Sequence, residues 1–299
     1  MAVPHRWLLS LLFAASAMPV AIASEGCPPD GHDRASLQAL KAAKFAVPDA
    51  AVRQALAEGL VDCLADADPA IRDGIAYEAL AQWMRADGIE VAGLRELRDR
   101  LYAALDGGDN AGFRKPFAAL VLAEVARTDR IKPWMPAQER AAMVEAAAAY
   151  VGSVRDYRGF DEKEGWRHGV AHGADWLMQL ALNPALDRAQ LDRILAAVAM
   201  QVVPEAPHAY VFGEPGRLAR PVLYAASRGL HTQAEWQAWL SALGPRVAAG
   251  GKTYSDLAWL ARKHDLDAFL AALYLEADRS DDEAIRQLKP AILAAMKQS

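Results

Sequence analysis

Residues 164–177 read Glu-Gly-Trp-Arg-His-Gly-Val-Ala-His-Gly-Ala-Asp-Trp-Leu. Two of the seven histidines, His168 and His172, stand four apart here, and Asp175 follows three later. On a helix, imidazoles at this spacing share a face and can ligate one ion. A zincin-type motif would put glutamate directly after the first histidine, where this chain has Gly169. Asp175 lies about 10.5 Å of helix rise beyond His168, so the three cannot meet on one ion. A metal site would use His168 with His172, or His172 with Asp175. It would borrow a further ligand from Asp156, Asp161, Glu162 or Glu214. No cofactor is required by this pattern, and zinc or manganese is the metal it would suit.

Two other readings compete. His172 and Asp175 could pair across one helical turn, raising the imidazole pKa and making an acid/base couple. The same residues could instead form a polar network that pins the 154–163 loop to neighbouring helices. The chain has no G-x-S-x-G nucleophile elbow, no P-loop and no dinucleotide-binding glycine motif.

A helical wheel over 164–182 places Trp166, Val170, Gly173, Ala174, Leu177 and Leu180 on one face. His168, His172, Asp175 and Gln179 fall on the opposite face. Gly169 and Gly173 each cost a helix about 1 kcal/mol relative to alanine, which fits a close approach by another helix. Glu214 opens a later helix with Arg217 and Arg220 behind it, and its position suits the positive end of the helix dipole. Arg114-Lys115-Pro116 opens another with the unfavourable charge sign, which suggests a place for an anion or an acidic partner.

The elements that must carry these residues are helices. Alanine and leucine dominate, and β-branched runs are scarce. The pattern predicts helices near 34–44, 49–66, 69–86, 92–106, 116–129, 137–153, 164–182, 187–202, 216–229, 233–243, 254–263, 266–277 and 281–297. Asp68-Pro69 is a helix start. Thr232/Glu235 and Ser280/Glu283 have capping-box spacing. Short turns between amphipathic helices imply an all-α, irregular array of antiparallel hairpins, similar to a HEAT-like solenoid or curved superhelix. The longest irregular stretches, 154–163 and 203–215, are where function tends to concentrate.

Residues 1–23 read as a secretory signal peptide, with His5 and Arg6, the apolar run Trp7–Ala15 and the Ala21-Ile22-Ala23 cleavage pattern. Residues 24–299 then form a single helical domain, secreted or periplasmic. Removing Arg6 takes the net charge from −5 to −6. An acidic chain without a basic run disfavours nonspecific nucleic-acid binding, and no second apolar stretch suggests a membrane partner. The only two cysteines, Cys27 and Cys63, suggest one disulfide in an oxidising compartment.

Several segments carry a family resemblance: Phe113-Arg-Lys-Pro-Phe-Ala-Ala-Leu-Val-Leu-Ala-Glu124, Asp156-Tyr-Arg-Gly159, Gly165-Trp166-Arg-His168 through Ala171-His172-Gly173-Ala174-Asp175, and Glu214-Pro-Gly-Arg217-Leu-Ala219. Together, across about 71–240, they resemble the bacterial family known as domain of unknown function 2785. Lys115 and Pro116 stand where a serine is expected after Arg114, a departure at that helix start. The resemblance implies an all-helical fold and supplies no reaction. It groups Asp156, Arg158, Trp166, His168, His172, Asp175, Glu214 and Arg217, which leads us to expect them on one concave face. The leading expectation is a binding or structural role around that polar cleft, toward a protein, peptide or small molecule. The alternative is a hydrolase-like enzyme, metal-dependent or using the His/Asp pair.

Overall fold

The computed structural model describes residues 26–206, 208–248 and 254–298. The expected signal segment 1–23 lies outside the described residues. Helices follow one another along the chain. They are α1 (Arg34–Ala42), α2 (Ala50–Cys63), α3 (Pro69–Ile71), α4 (Glu78–Arg85), α5 (Val91–Asp106), α6 (Arg114–Ile131), α7 (Ala137–Ser153), α8 (Gly169–Ala181) and α9 (Arg188–Val202). After these come α10 (Glu214–Ser227), α11 (Gln233–Ser241), α12 (Gly244–Val247), α13 (Leu257–Arg279), α14 (Glu283–Arg286) and α15 (Lys289–Met296). A π-helical turn, Arg72–Tyr77, joins α3 to α4. The one sheet among the described residues is a two-stranded hairpin, β1 (Phe160–Asp161) with β2 (Gly165–Trp166).

Alternate helices stack. In one row α6 packs on α8, α8 on α10 and α10 on α13, while α7 packs on α9 in the other. This is the all-α array of helix hairpins that the periodicity implies. A single cluster of buried apolar side chains runs from Cys27 to Ala295 through both rows.

Local signals explain most starts. The Asp68 carboxylate accepts from Ala70 N–H, and Thr232 and Glu235 form the reciprocal box. The predicted Ser280/Glu283 box does not form. Asp282 caps α14 instead, while Glu283 pairs with Arg286. The helices predicted at 254–263 and 266–277 are one continuous α13. The stretch predicted at 281–297 is divided at Lys289-Pro290, because proline takes the first turn of a new helix.

The largest correction concerns 164–182. Its first residues belong to the hairpin, and α8 starts only at Gly169. Gly165 has φ +73, and a Cβ there would sit 2.9 Å from Arg72 Nη2 and Pro69 Cβ. The buried guanidinium of Arg72 donates to the carbonyl of Glu164 at 2.7 Å, fastening the hairpin to the π turn. A left-handed glycine pressed against that anchor breaks the helical run. Gly173 meets the expected close neighbour: a Cβ would lie 2.6 Å from Val151 Cγ2 and 2.9 Å from Tyr150 Cε1 of α7.

The disulfide joins Cys27 to Cys63 at the end of α2, with Cα atoms 5.0 Å apart. Among the described residues, no helix is long and apolar enough to cross a membrane.

Candidate functional site

His168 is the N-cap of α8, not a member of it. Its backbone is left-handed at φ 56, ψ 38, and its carbonyl accepts the first helical bond, from His172 N–H at 3.0 Å. A non-glycine residue in this region costs on the order of 1 kcal/mol and marks a position that its surroundings over-determine. The surroundings are identifiable. The N–H groups of Arg167 and His168 donate to the carbonyls of Gly159 and Arg158, so β2 and the residues after it are held by the opposite strand. The Phe113 ring is clamped between two buried guanidinium groups, Arg72 at 4.0 Å and Arg167 at 4.2 Å.

The imidazole of His168 faces Glu214 at the start of α10, with Nε2 3.3 Å from Oε1. Both residues are buried. Glu214 Oε2 also accepts from Phe212 N–H at 3.0 Å. Burial alone would raise the Glu214 carboxyl. The His168 imidazole and the backbone N–H groups of Glu214 and Phe212 outweigh it and hold the group below the usual glutamate range.

His172 does not pair with Asp175, contrary to the acid/base expectation. Its Nδ1 lies 3.2 Å from the carbonyl of Pro116, so Nδ1 carries the proton and donates. Its ring packs edge-on against Phe117 at 5.2 Å and against His168 at 5.8 Å. Burial, reinforced by His168 and Arg217, pushes its pKa down to about 3, the opposite of the rise expected from a carboxylate partner. Asp175 turns to α10 instead, 3.0 Å from Arg217 Nη2 and 3.9 Å from Arg220 Nη1. Burial raises the Asp175 carboxyl, and the two arginines oppose that rise.

Trp166, expected on the apolar face of a helix, is a strand residue at the surface. It stacks on His168 with centroids 4.6 Å apart and planes 22° apart. Phe160, its cross-strand partner, lies 5.0 Å away, and Phe212 meets its edge at 6.0 Å. Phe160 is 45% exposed, Trp166 36% and Phe212 40%, so the three rings form one apolar shelf open to solvent. Gly159 makes room for it, since a Cβ there would lie 2.0 Å from Phe212 Cδ2.

The structure thus brings together Trp166, His168, His172, Asp175, Glu214 and Arg217. Asp156 and Arg158 pair with each other, Nε to Oδ1 at 2.8 Å, and Arg158 reaches the carbonyl of Ala111. Asp156 lines a separate groove with Asp109, Lys115, Tyr150 and Arg155. The cationic start of α6 is not open to an outside anion. Asp109 Oδ1 accepts from the N–H groups of Gly112, Phe113 and Arg114, and Oδ2 accepts from Lys115. Gln179, expected on the histidine stripe, accepts from Arg130. Among the described residues, no group of three or more His, Cys, Asp or Glu is placed to hold a metal ion.

Sequence reasoning missed three neighbours. Tyr77 ends the π turn, in the field of Glu124, Arg85, Asp175 and Arg217. Buried Glu124 on α6 is held by Arg85. Glu124 had a signal: it is the one charged residue in the apolar run Phe117–Ala126. Tyr77 and Arg85 had none, because a π turn places them one position away from the ordinary helical wheel.

Two buried groups, Asp265 outside the expected set and His172 within it, titrate in opposition. Asp265 on α13 accepts from Tyr210 N–H at 2.8 Å. Burial, with Glu214 adding to it and His264 and the Tyr210 N–H opposing, pushes its pKa up to about 7. Its protonated form is favoured by folding, so its contribution is present below 3.8 and lost as pH rises toward about 7. His172 behaves in reverse: its contribution is present above 6.5 and lost as pH falls toward about 3. The Asp265→Asn variant keeps an acceptor for Tyr210 and loses the buried charge. It should be more stable than wild type by on the order of 2–4 kcal/mol above this window and equal to it at the acid end. Urea midpoints measured on both sides of the window check this, and an equal midpoint at alkaline pH would contradict it.

The family model described as "Protein of unknown function (DUF2785)" matches residues 101–275. The chain belongs to that family, and the match runs from the end of α5 into α13 and includes every residue of the cluster except those of the π turn and α4. No curated protein and no solved structure matches the chain.

Proposed function

We propose that this protein works outside the cytoplasm as a binding protein, and that its ligand is a small organic molecule seated on the Phe160–Trp166–Phe212 shelf. The observation that carries the reading is the shelf itself. Its three aromatic rings are contiguous and exposed, and they rest on a histidine held in a left-handed conformation. A purely structural network accounts for the buried His168–Glu214 pair. It gives no reason for Phe160, Trp166 and Phe212 to share one solvent-facing patch. Aromatic rings supply large contact area at low conformational cost, and a ring pinned from beneath is already in its binding orientation. The disulfide supports an oxidising compartment, in keeping with the expected signal peptide. The hydrolase alternative leaned on a His172–Asp175 couple. With His172 bonded to Pro116 and Asp175 paired with Arg217, the binding reading has the better support.

Native mass spectrometry of protein purified from its own compartment tests the reading. Wild type should carry a bound mass that the Trp166→Ala/Phe212→Ala variant lacks, while the variant keeps its fold because both side chains are surface groups. Identical spectra for the two proteins would refute it.

A further inference from the structure

A cleft of about 490 Å³ opens beside the shelf, between α10 and α13. Its lining includes Gly213, the residue after Phe212, with Arg217, Arg220 and Tyr224 from α10 and Glu276 from α13. Nothing lies within 4 Å of where a Cβ on Gly213 or Gly216 would stand, so this side of the helix is open.

Arg217 and Arg220 are 30% and 47% exposed along their side chains. Asp175 is the acid both approach, and it lies buried behind them. Among the described residues, neither guanidinium donates a hydrogen bond to another protein group beyond that ion pairing, so most of their N–H donors remain available to the cleft. Arg130 of α6 lies within electrostatic reach of Tyr224 on the cleft wall. Glu276 is the one carboxylate lining the cleft. The two guanidinium groups face the cleft with Glu276 in its lining and Asp175 behind them. A planar guanidinium fork matches carboxylate and phosphate oxygens in pairs, which an ammonium group cannot do.

We propose that this cleft is an oxyanion site, in which Arg217 and Arg220 receive a carboxylate or phosphate group of the ligand whose apolar part lies on the Phe160–Trp166–Phe212 shelf. The proposal rests on the binding reading above and names the chemistry of its ligand. Arg220 is the more exposed of the two and the less engaged with Asp175, so it is the readier to receive the acidic group.

The test uses the full chain, with inorganic phosphate and with succinate as probes, against chloride at matched ionic strength. Phosphate, succinate or both should raise the melting temperature of wild type by about 2–5 °C beyond chloride. The Arg220→Gln variant should lose that rise. Arg217→Gln combined with Asp175→Asn should lose it too, and this pair removes both partners of the ion pair so that no charge is left buried alone. A response to phosphate alone identifies a tetrahedral oxyanion, and a response to succinate alone a planar one; each supports the site. Equal shifts with chloride, or an undiminished response in Arg220→Gln, would overturn it. If the anions fail while the mass adduct on the shelf persists, the oxyanion site falls and the binding reading stands. Loss of both removes both.

Discussion

Arg72→Met is expected to lower the stability of the protein by about 3–5 kcal/mol and to release the hairpin from the helical array. Arg72 is fully buried. Its Nη1 donates to the carbonyls of Asp66 and Ala67, its Nη2 donates to Glu164, and its Nε lies 2.7 Å from Asp73 Oδ1. Its guanidinium also covers the rings of Phe113 and Phe117. Methionine would fill much of the space, yet it would leave three carbonyls and a carboxylate without their donor, and unsatisfied groups cost more than the bonds they lose. Because the contact to Glu164 spans the turn of the hairpin, the loss should also show locally. Hydrogen exchange should speed up across 158–168, and the shelf with it. Arg72→Lys should recover little, since a single ammonium cannot serve three directions and stack on two rings. A urea midpoint within about 1 kcal/mol of wild type would mean that the hairpin is held by something else. Arg158→Met is the control: that side chain is exposed, and the change should be nearly neutral.

The second large effect is expected from the disulfide. Cys27 and Cys63 close a loop with a sequence separation of 36. In the chain-entropy model such a closure is worth about 4 kcal/mol, by removing freedom from the unfolded chain. The Cys27→Ser/Cys63→Ser variant, or wild type under reducing conditions, should show a lower urea midpoint of that order with the helical content of the native state unchanged. Both cysteines are buried, so the variant also exchanges apolar sulfur for hydroxyl in the core, and the reduced wild type separates the two contributions. Equal midpoints with and without reductant would show that the link contributes nothing to the fold, and would weaken the case for an oxidising compartment.

The two predictions show which parts of the molecule could be read from residue order. The helices could, because alanine-rich amphipathic runs with Asp-Pro and Thr-x-x-Glu starts behave as local rules predict. The family could too, because its motifs are contiguous. The hairpin could not. Residues 164–168 look helical by periodicity, but the contact between Gly165 and Arg72, 93 positions apart, and the pairing with 158–161 hold them in the hairpin. Those contacts moved His168 off the helix and carried Trp166 from an imagined buried face to the surface. They also replaced a histidine stripe with a stack of Trp166 on His168 over Glu214. The cationic start of α6 misled for the same reason: Asp109, outside the helix, takes the backbone donors that an anion would use. Among the eight residues grouped from the motifs, six meet around α8 and α10. Asp156 and Arg158 are absorbed into a pair of their own, with Arg158 on the carbonyl of Ala111. Tyr77 and Arg85 join the cluster through a π turn whose irregular register no wheel anticipates.

The central claim is that a ligand binds on the shelf and not elsewhere on the array. Hydrogen–deuterium exchange of the full chain, with and without the dialysable small-molecule fraction of the producing cells, locates binding directly. Ligand on the shelf predicts added protection at the hairpin, 159–168, and at the segment 211–217 that carries Phe212, Glu214 and Arg217, continuing only onto the cleft residues 218–224 and 272–276 of α10 and α13 where its acidic group is held. Protection at other helices, or no difference between the two samples, would contradict it.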